Sequence, residues 1–206
     1  MAYDTILQYA GPFLTFLLGV IIGGAGLALR ADRFVGWLAF GYLLTGFGLG
    51  LQSFLSNSSL ALGAPLTTML YLGGAAAITH ATALRCGDGW HRNAVVWAIS
   101  AFCVINAARL AYLDDDLVMR MLSMNVTLGL IYLTQLPYLI GRWKDLTTLD
   151  RLLGFSTLQV GLFHFLRAVY VGQEGLFSND PKAFVQNMTQ STHWQVLLAC
   201  AFVLCV

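Results

Sequence analysis

The sequence predicts an all-α integral membrane protein, a single bundle of about seven transmembrane helices over residues 1–206, and three observations predict it. Apolar residues make up 58% of the chain and charged residues only 10%, well under half of the roughly 25% usual in soluble domains. Apolar runs close to the ~20 residues needed to cross the hydrocarbon core recur at 6–29, 34–55, 66–86, 93–113, 118–141 and 151–172, with a seventh beginning at Trp194. Basic residues then alternate sharply from one connection to the next.

The first run follows Met1–Asp4, which has no basic n-region, and is too long for a signal-peptide core, so it reads as a retained span. The first three runs are dense in small residues: Gly19, Gly23, Gly24 and Gly26, then Gly46, Gly48 and Gly50, then Gly73, Gly74 and Ala75–Ala77. Such faces let helices approach closely. Gly19 and Gly23 have the GxxxG spacing, which fits packing within the chain at least as well as a homodimer. In the fifth run, Gln135 and Pro137 mark a kink, since proline frees a carbonyl that another group must satisfy. The longest connection, 173–193, carries the turn signal Asn179-Asp180-Pro181. The last run holds 13 residues, about 20 Å of helix, so the chain is expected to end inside a span that leads to a cytoplasmic output domain.

Cytoplasmic connections retain Lys and Arg. Arg30 and Arg33, Arg85 and Arg92, then Arg142, Lys144 and Arg151 occupy the first, third and fifth connections, against only Arg120 and Lys182 in the others. Trp37, Trp90 and Trp143 stand beside the basic set, as interfacial rings do. The expected orientation is N-terminus outside and C-terminus cytoplasmic, in a bacterial inner membrane.

Eleven basic residues against ten acidic ones leave a net charge near +1, so no global field recruits nucleic acid; the lipid bilayer is the first partner. Cys86, Cys103, Cys200 and Cys205 have no CxxC spacing and read as apolar fillers. The spans contain no interior carboxylate, which disfavours ion-coupled pumping. Lys144 and Lys182 both lie in connections, which excludes a retinal Schiff base. No H-E-x-x-H pair or serine nucleophile with a base is present, so the chain itself is not expected to be an enzyme.

Polar residues inside spans carry the functional signal. The fourth run reads Asn106-x-x-Arg109-x-x-Tyr112 and the sixth His164-x-x-Arg167-x-x-Tyr170. Steps of three put each trio along one helical face. Arg109 lies 16 residues past Asn93 and Arg167 lies 16 past Arg151, so both stand ~24 Å from the basic end of their helices. Paired guanidinium groups grip carboxylate or phosphate, with Asn106, Tyr112, Asn125, His164 and Tyr170 adding neutral hydrogen bonds. The expected ligand is therefore a small anion. The competing structural reading has Arg109 paired with Asp114, Asp115 or Asp116 and Arg167 reaching headgroups or Glu174.

No metal site and no cofactor are expected, with haem b as the alternative: His164 would be its axial ligand and the arginines would hold its propionates. His193 and His80 offer no evident second ligand, and His80 and His91 read as a core and a solvated histidine.

Seven spans, an Arg-bearing outer pocket and the segment His164-Phe165-Leu166-Arg167-Ala168 resemble the multi-helix membrane sensor regions that precede GGDEF diguanylate cyclase domains. The likeness covers the whole chain loosely, and no GGDEF domain is present in it. The resemblance implies signal transduction, with ligand binding relayed through the last helix to c-di-GMP synthesis; a histidine kinase output fits equally well. Two other classes compete: a small-solute transporter of 3+1+3 type, with Pro12 and Pro137 in corresponding helices, and a structural membrane anchor.

Overall fold

The computed structural model describes residues 2–54, 60–85, 90–114 and 116–175. These form α1 (Ala2–Ala28), α2 (Arg33–Phe54), α3 (Leu60–Arg85), α4 (Trp90–Tyr112), α5 (Leu117–Leu133), α6 (Leu136–Gly141) and α7 (Thr148–Tyr170), the last running into a π-helical turn, Val171–Gly175. No strand occurs among the described residues. Four helical stretches, Ala10–Ala28, Arg33–Phe54, Ala94–Tyr112 and Asp150–Gln173, are long and apolar enough to cross a membrane. Phe13, Phe47, Phe102, Ile105 and Phe155 are exposed, so large apolar side chains cover the outside, as a hydrocarbon solvent requires. The run from Trp194 lies outside the described residues.

α3 is the centre of the bundle. It packs against α2 on one side and α4 and α5 on the other, and Leu72, Ala75, Ala76, Ala77, Ala81 and Ala83 are all buried. Its many buried threonine and alanine positions explain why it is not among the four most apolar stretches: its partners are helices, not lipid. Buried Thr79 and Thr82 donate to the carbonyls of Ala75 and Ile78, four residues back, which satisfies the hydroxyls without water.

Small residues set the close contacts between α1, α2 and α3. A Cβ at Gly46 would stand 2.6 Å from the Phe16 backbone nitrogen, and one at Gly19 would stand 2.9 Å from that of Leu43. Gly41 and Gly74 face each other, each Cβ position 2.9 Å from the other's carbonyl oxygen. Gly19 and Gly23 thus meet Leu43 and Ala39 of α2 within the chain. α1 ends in a Schellman cap, Ala31 N–H to Gly26 O at 2.8 Å and Arg30 N–H to Leu27 O at 3.3 Å, with Arg30 at φ 47.

The fifth run, expected as one span over 118–141, is two helices. α5 stops at Leu133, and α6 restarts at Leu136 after Thr134 and Gln135. Pro137 has no N–H to offer the Leu133 carbonyl, and the Thr134 hydroxyl instead donates to Ile131 O at 2.6 Å. α7 packs on α5 through glycine: Gly161 faces Tyr132 and Gly129 faces Phe165. Farther down, Gly154 faces Leu139 of α6. Buried Leu72, Ala75, Val96, Cys103, Leu128, Ile131 and Tyr132 join α3, α4 and α5 in the main core. Cys103 is a free, buried thiol, as its filler role requires; the other three cysteines lie outside the described residues.

Candidate functional site

Arg167 is 8% exposed, in the last turn of α7, a helix that Gly161 and Gly129 have brought close to α5. The Tyr71 phenol of α3 lies within electrostatic reach of its guanidinium. Tyr71 in turn donates its hydroxyl hydrogen to Gln52 Oε1 of α2 at 2.7 Å. The nearest acidic residues along the chain are Asp150, 17 positions before, and Glu174, seven after.

One turn back on the same face, His164 Nδ1 is 3.1 Å from Asn125 Oδ1 of α5. Asn125 is fully buried, and its Nδ2 donates to Met121 O at 2.8 Å. The imidazole lies parallel to the Tyr132 ring, centroids 6.1 Å apart and planes within 3°. The ring is therefore held from both its edge and its face.

The residues singled out in the sequence separate into two groups. Asn125, His164 and Arg167 come together on α5 and α7, joined by Tyr71 and Gln52. Asn106 ties α4 to α5 through Ser123 Oγ at 3.0 Å. Arg109 is exposed and its Nε meets Asp114 Oδ2 at 3.0 Å, while Tyr112 and Tyr170 lie on the exposed surface. Both arginines lie in the last turn of their helices, yet their surroundings differ: Arg109 is exposed and reached by the carboxylate of Asp114, whereas Arg167 is buried.

Tyr71 and Gln52 escaped the sequence reading. Their only signal was chemical: Tyr71 is a lone phenol in a Gly-, Ala- and Thr-rich helix, and Gln52 a lone carboxamide near the end of an apolar one. A second polar cluster was also missed. Arg85, ending α3, puts Nε 2.6 Å from Asp150 Oδ1, and its guanidinium lies 4.9 Å from the Phe34 ring centroid. Asp150 Oδ2 simultaneously accepts from the Thr147 hydroxyl at 2.6 Å and the Thr147 N–H at 3.2 Å, closing the capping box that starts α7. The Thr147-x-x-Asp150 spacing carries that signal in the sequence.

Gln135, at the break between α5 and α6, is 1% exposed, and neither its Oε1 nor its Nε2 makes a hydrogen bond among the described residues. No group of three His, Cys, Asp or Glu residues that would hold a metal ion occurs among the described residues. His80 stacks edge-on to Trp37 at 4.7 Å, near the start of α2, and is not part of the His164 cluster. No protein-family model, no curated protein and no solved structure matches the chain, so the functional reading rests on the chemistry of these residues.

Proposed function

We propose that the chain is a membrane-embedded sensory input domain that binds a small anionic ligand beside Arg167 and relays occupancy along α7 to a cytoplasmic signalling output. The observation that carries this reading is a buried guanidinium in the last turn of a spanning helix, within electrostatic reach of Tyr71 and one turn from the His164–Asn125 pair. An ionisable side chain is costly in a membrane span and marks a functional site by default. A planar guanidinium matches carboxylate or phosphate, and excluded water strengthens the contact. Arg109 and Tyr112 stand at the rim, and Tyr170 beside the π-helical turn.

The alternation of basic connections supports an orientation with the N-terminus outside, the C-terminus in the cytoplasm and the pocket in the outer half of about seven spans. The resemblance around His164-Phe165-Leu166-Arg167-Ala168 points to a GGDEF diguanylate cyclase as the output. Relay requires that the anion bind one arrangement of α7 better than another; a differential of ~1.4 kcal/mol shifts the population ratio tenfold.

Native mass and optical spectra of the protein purified in mild detergent test the reading. Wild type is expected to retain an anionic mass that Arg167→Ala loses and Arg109→Ala keeps. Retention of the same mass by Arg167→Ala refutes the pocket, and a Soret band that follows His164 replaces the anion by haem. A transporter is the second reading, favoured by the broken α5–α6 helix with a buried carboxamide at the break. Flux of a labelled anion into proteoliposomes, absent for a sensor, separates the two.

A further inference from the structure

We infer that the anion taken by this site also carries its own hydrogen-bond donor, an O–H or N–H that His164 Nε2 accepts, so that hydroxy-carboxylate or protonated phosphate chemistry is favoured over a bare oxyanion. The inference rests on the sensory reading for the anion itself and on the His164–Asn125 geometry for the donor.

The tautomer follows from the chain of partners. Asn125 Nδ2 is committed as a donor to the Met121 carbonyl, so the atom facing His164 is the amide oxygen, which only accepts. His164 Nδ1 must then carry the hydrogen of that 3.1 Å contact. A neutral imidazole has only one N–H, which leaves Nε2 with an open lone pair. A second proton would set an imidazolium one helical turn from a guanidinium, in spans whose interior sequence has no carboxylate to offset it. No hydrogen bond to Nε2 is made among the described residues.

Turning the ring over keeps its plane parallel to Tyr132 but loses the Nδ1 contact to Asn125, which holds the polarity. Steps of three on α7 set His164 and Arg167 on one side of the helix, close enough for one small ligand to span them. The guanidinium donates to the oxyanion, and Nε2 accepts from a donor on the same molecule. An oxyanion without a donor would place its lone pairs against that of Nε2. A site built around a buried hydrogen-bonding group discriminates strongly against the analogue that lacks its complement.

Two matched pairs of probes read this directly: glycolate against acetate, and inorganic phosphate against sulfate, titrated at neutral pH into the whole chain in lipid nanodiscs. The donor-bearing member of at least one pair is expected to bind tenfold or more tightly than its match. That ratio should fall to about one in His164→Phe, which keeps a flat ring against Tyr132, and in Asn125→Leu, which removes the group that sets the tautomer. Equal binding within both pairs overturns the inference and leaves the anion pocket standing. Binding of none of the four sinks the small-anion reading and this inference together. Histidine nitrogen NMR of the wild type tests the tautomer without depending on the folding of either variant: protonated Nδ1 with bare Nε2 is expected, and a protonated Nε2 overturns the assignment.

Discussion

The two ends of α7 handle an arginine in opposite ways. At its start, Asp150 receives Arg85 of α3 at 2.6 Å and caps its own helix with the other carboxylate oxygen. Seventeen residues later, about 25 Å along the axis, Arg167 is buried within electrostatic reach of Tyr71 of the same α3. The first arrangement is self-sufficient: charge meets charge and every oxygen of Asp150 is used. The second sets a buried cation within electrostatic reach of the Tyr71 phenol. α7 is thus clasped to α3 by an ion pair at one end and carries a buried cation at the other.

The largest expected effect falls at the end with the buried cation. Arg167→Met should lower anion affinity a hundredfold or more, about 3 kcal/mol, as loss of charge-assisted hydrogen bonds implies. Its Tm should hold or rise, because an apolar side chain of similar length replaces a buried charge. A large drop in Tm would make Arg167 a structural clasp like Arg85.

Asp150→Ala attacks the other end and should lose about 2 kcal/mol of stability. It removes both a cap and an ion pair, the latter discounted because the Arg85 side chain is one-third exposed. Thermal unfolding in detergent should show the loss, while Asn at the same position, able to keep part of the cap, should lose less. Equal melting of all three proteins would remove the clasp from the comparison.

Gln135→Met sharpens the contrast from outside α7. Its carboxamide is buried at the α5–α6 break without a hydrogen bond among the described residues, so an apolar replacement should raise stability by about 1–2 kcal/mol. A fall instead would reveal a polar occupant at the break. Arg109→Ala is the smallest perturbation: its exposed contact with Asp114 should be worth no more than about 0.5 kcal/mol. Anion affinity should change less than threefold, and a tenfold loss would move Arg109 from the rim into the site.

Much of the fold was legible because the signals were local. Runs of apolar residues anticipated α1, α2, α4 and α7 to within a few residues, and Pro137 announced the kink that became a break. α3 was anticipated as a helix, although it is not among the four stretches long and apolar enough to cross a membrane. Of the site, Asn125, His164 and Arg167 were recognised as polar groups out of place in lipid, whereas Tyr71 and Gln52 were not, since neither is charged nor part of a repeated pattern.

By itself, then, the sequence determined an all-helical chain with stretches long and apolar enough to cross a membrane, the approximate element boundaries and the cationic residues within them, all of which follow from residue type and run length. Tertiary structure alone decided which arginine is buried and how His164 is held by Asn125. The physical reason is that a helix in lipid is apolar on every side, so hydrophobic periodicity does not say which face meets protein. Arg109 and Arg167 share a motif and a depth; only the helices packed beside them, and the carboxylate of Asp114 just beyond one of them, make one a surface ion pair and the other a buried cation at the meeting of α3, α5 and α7.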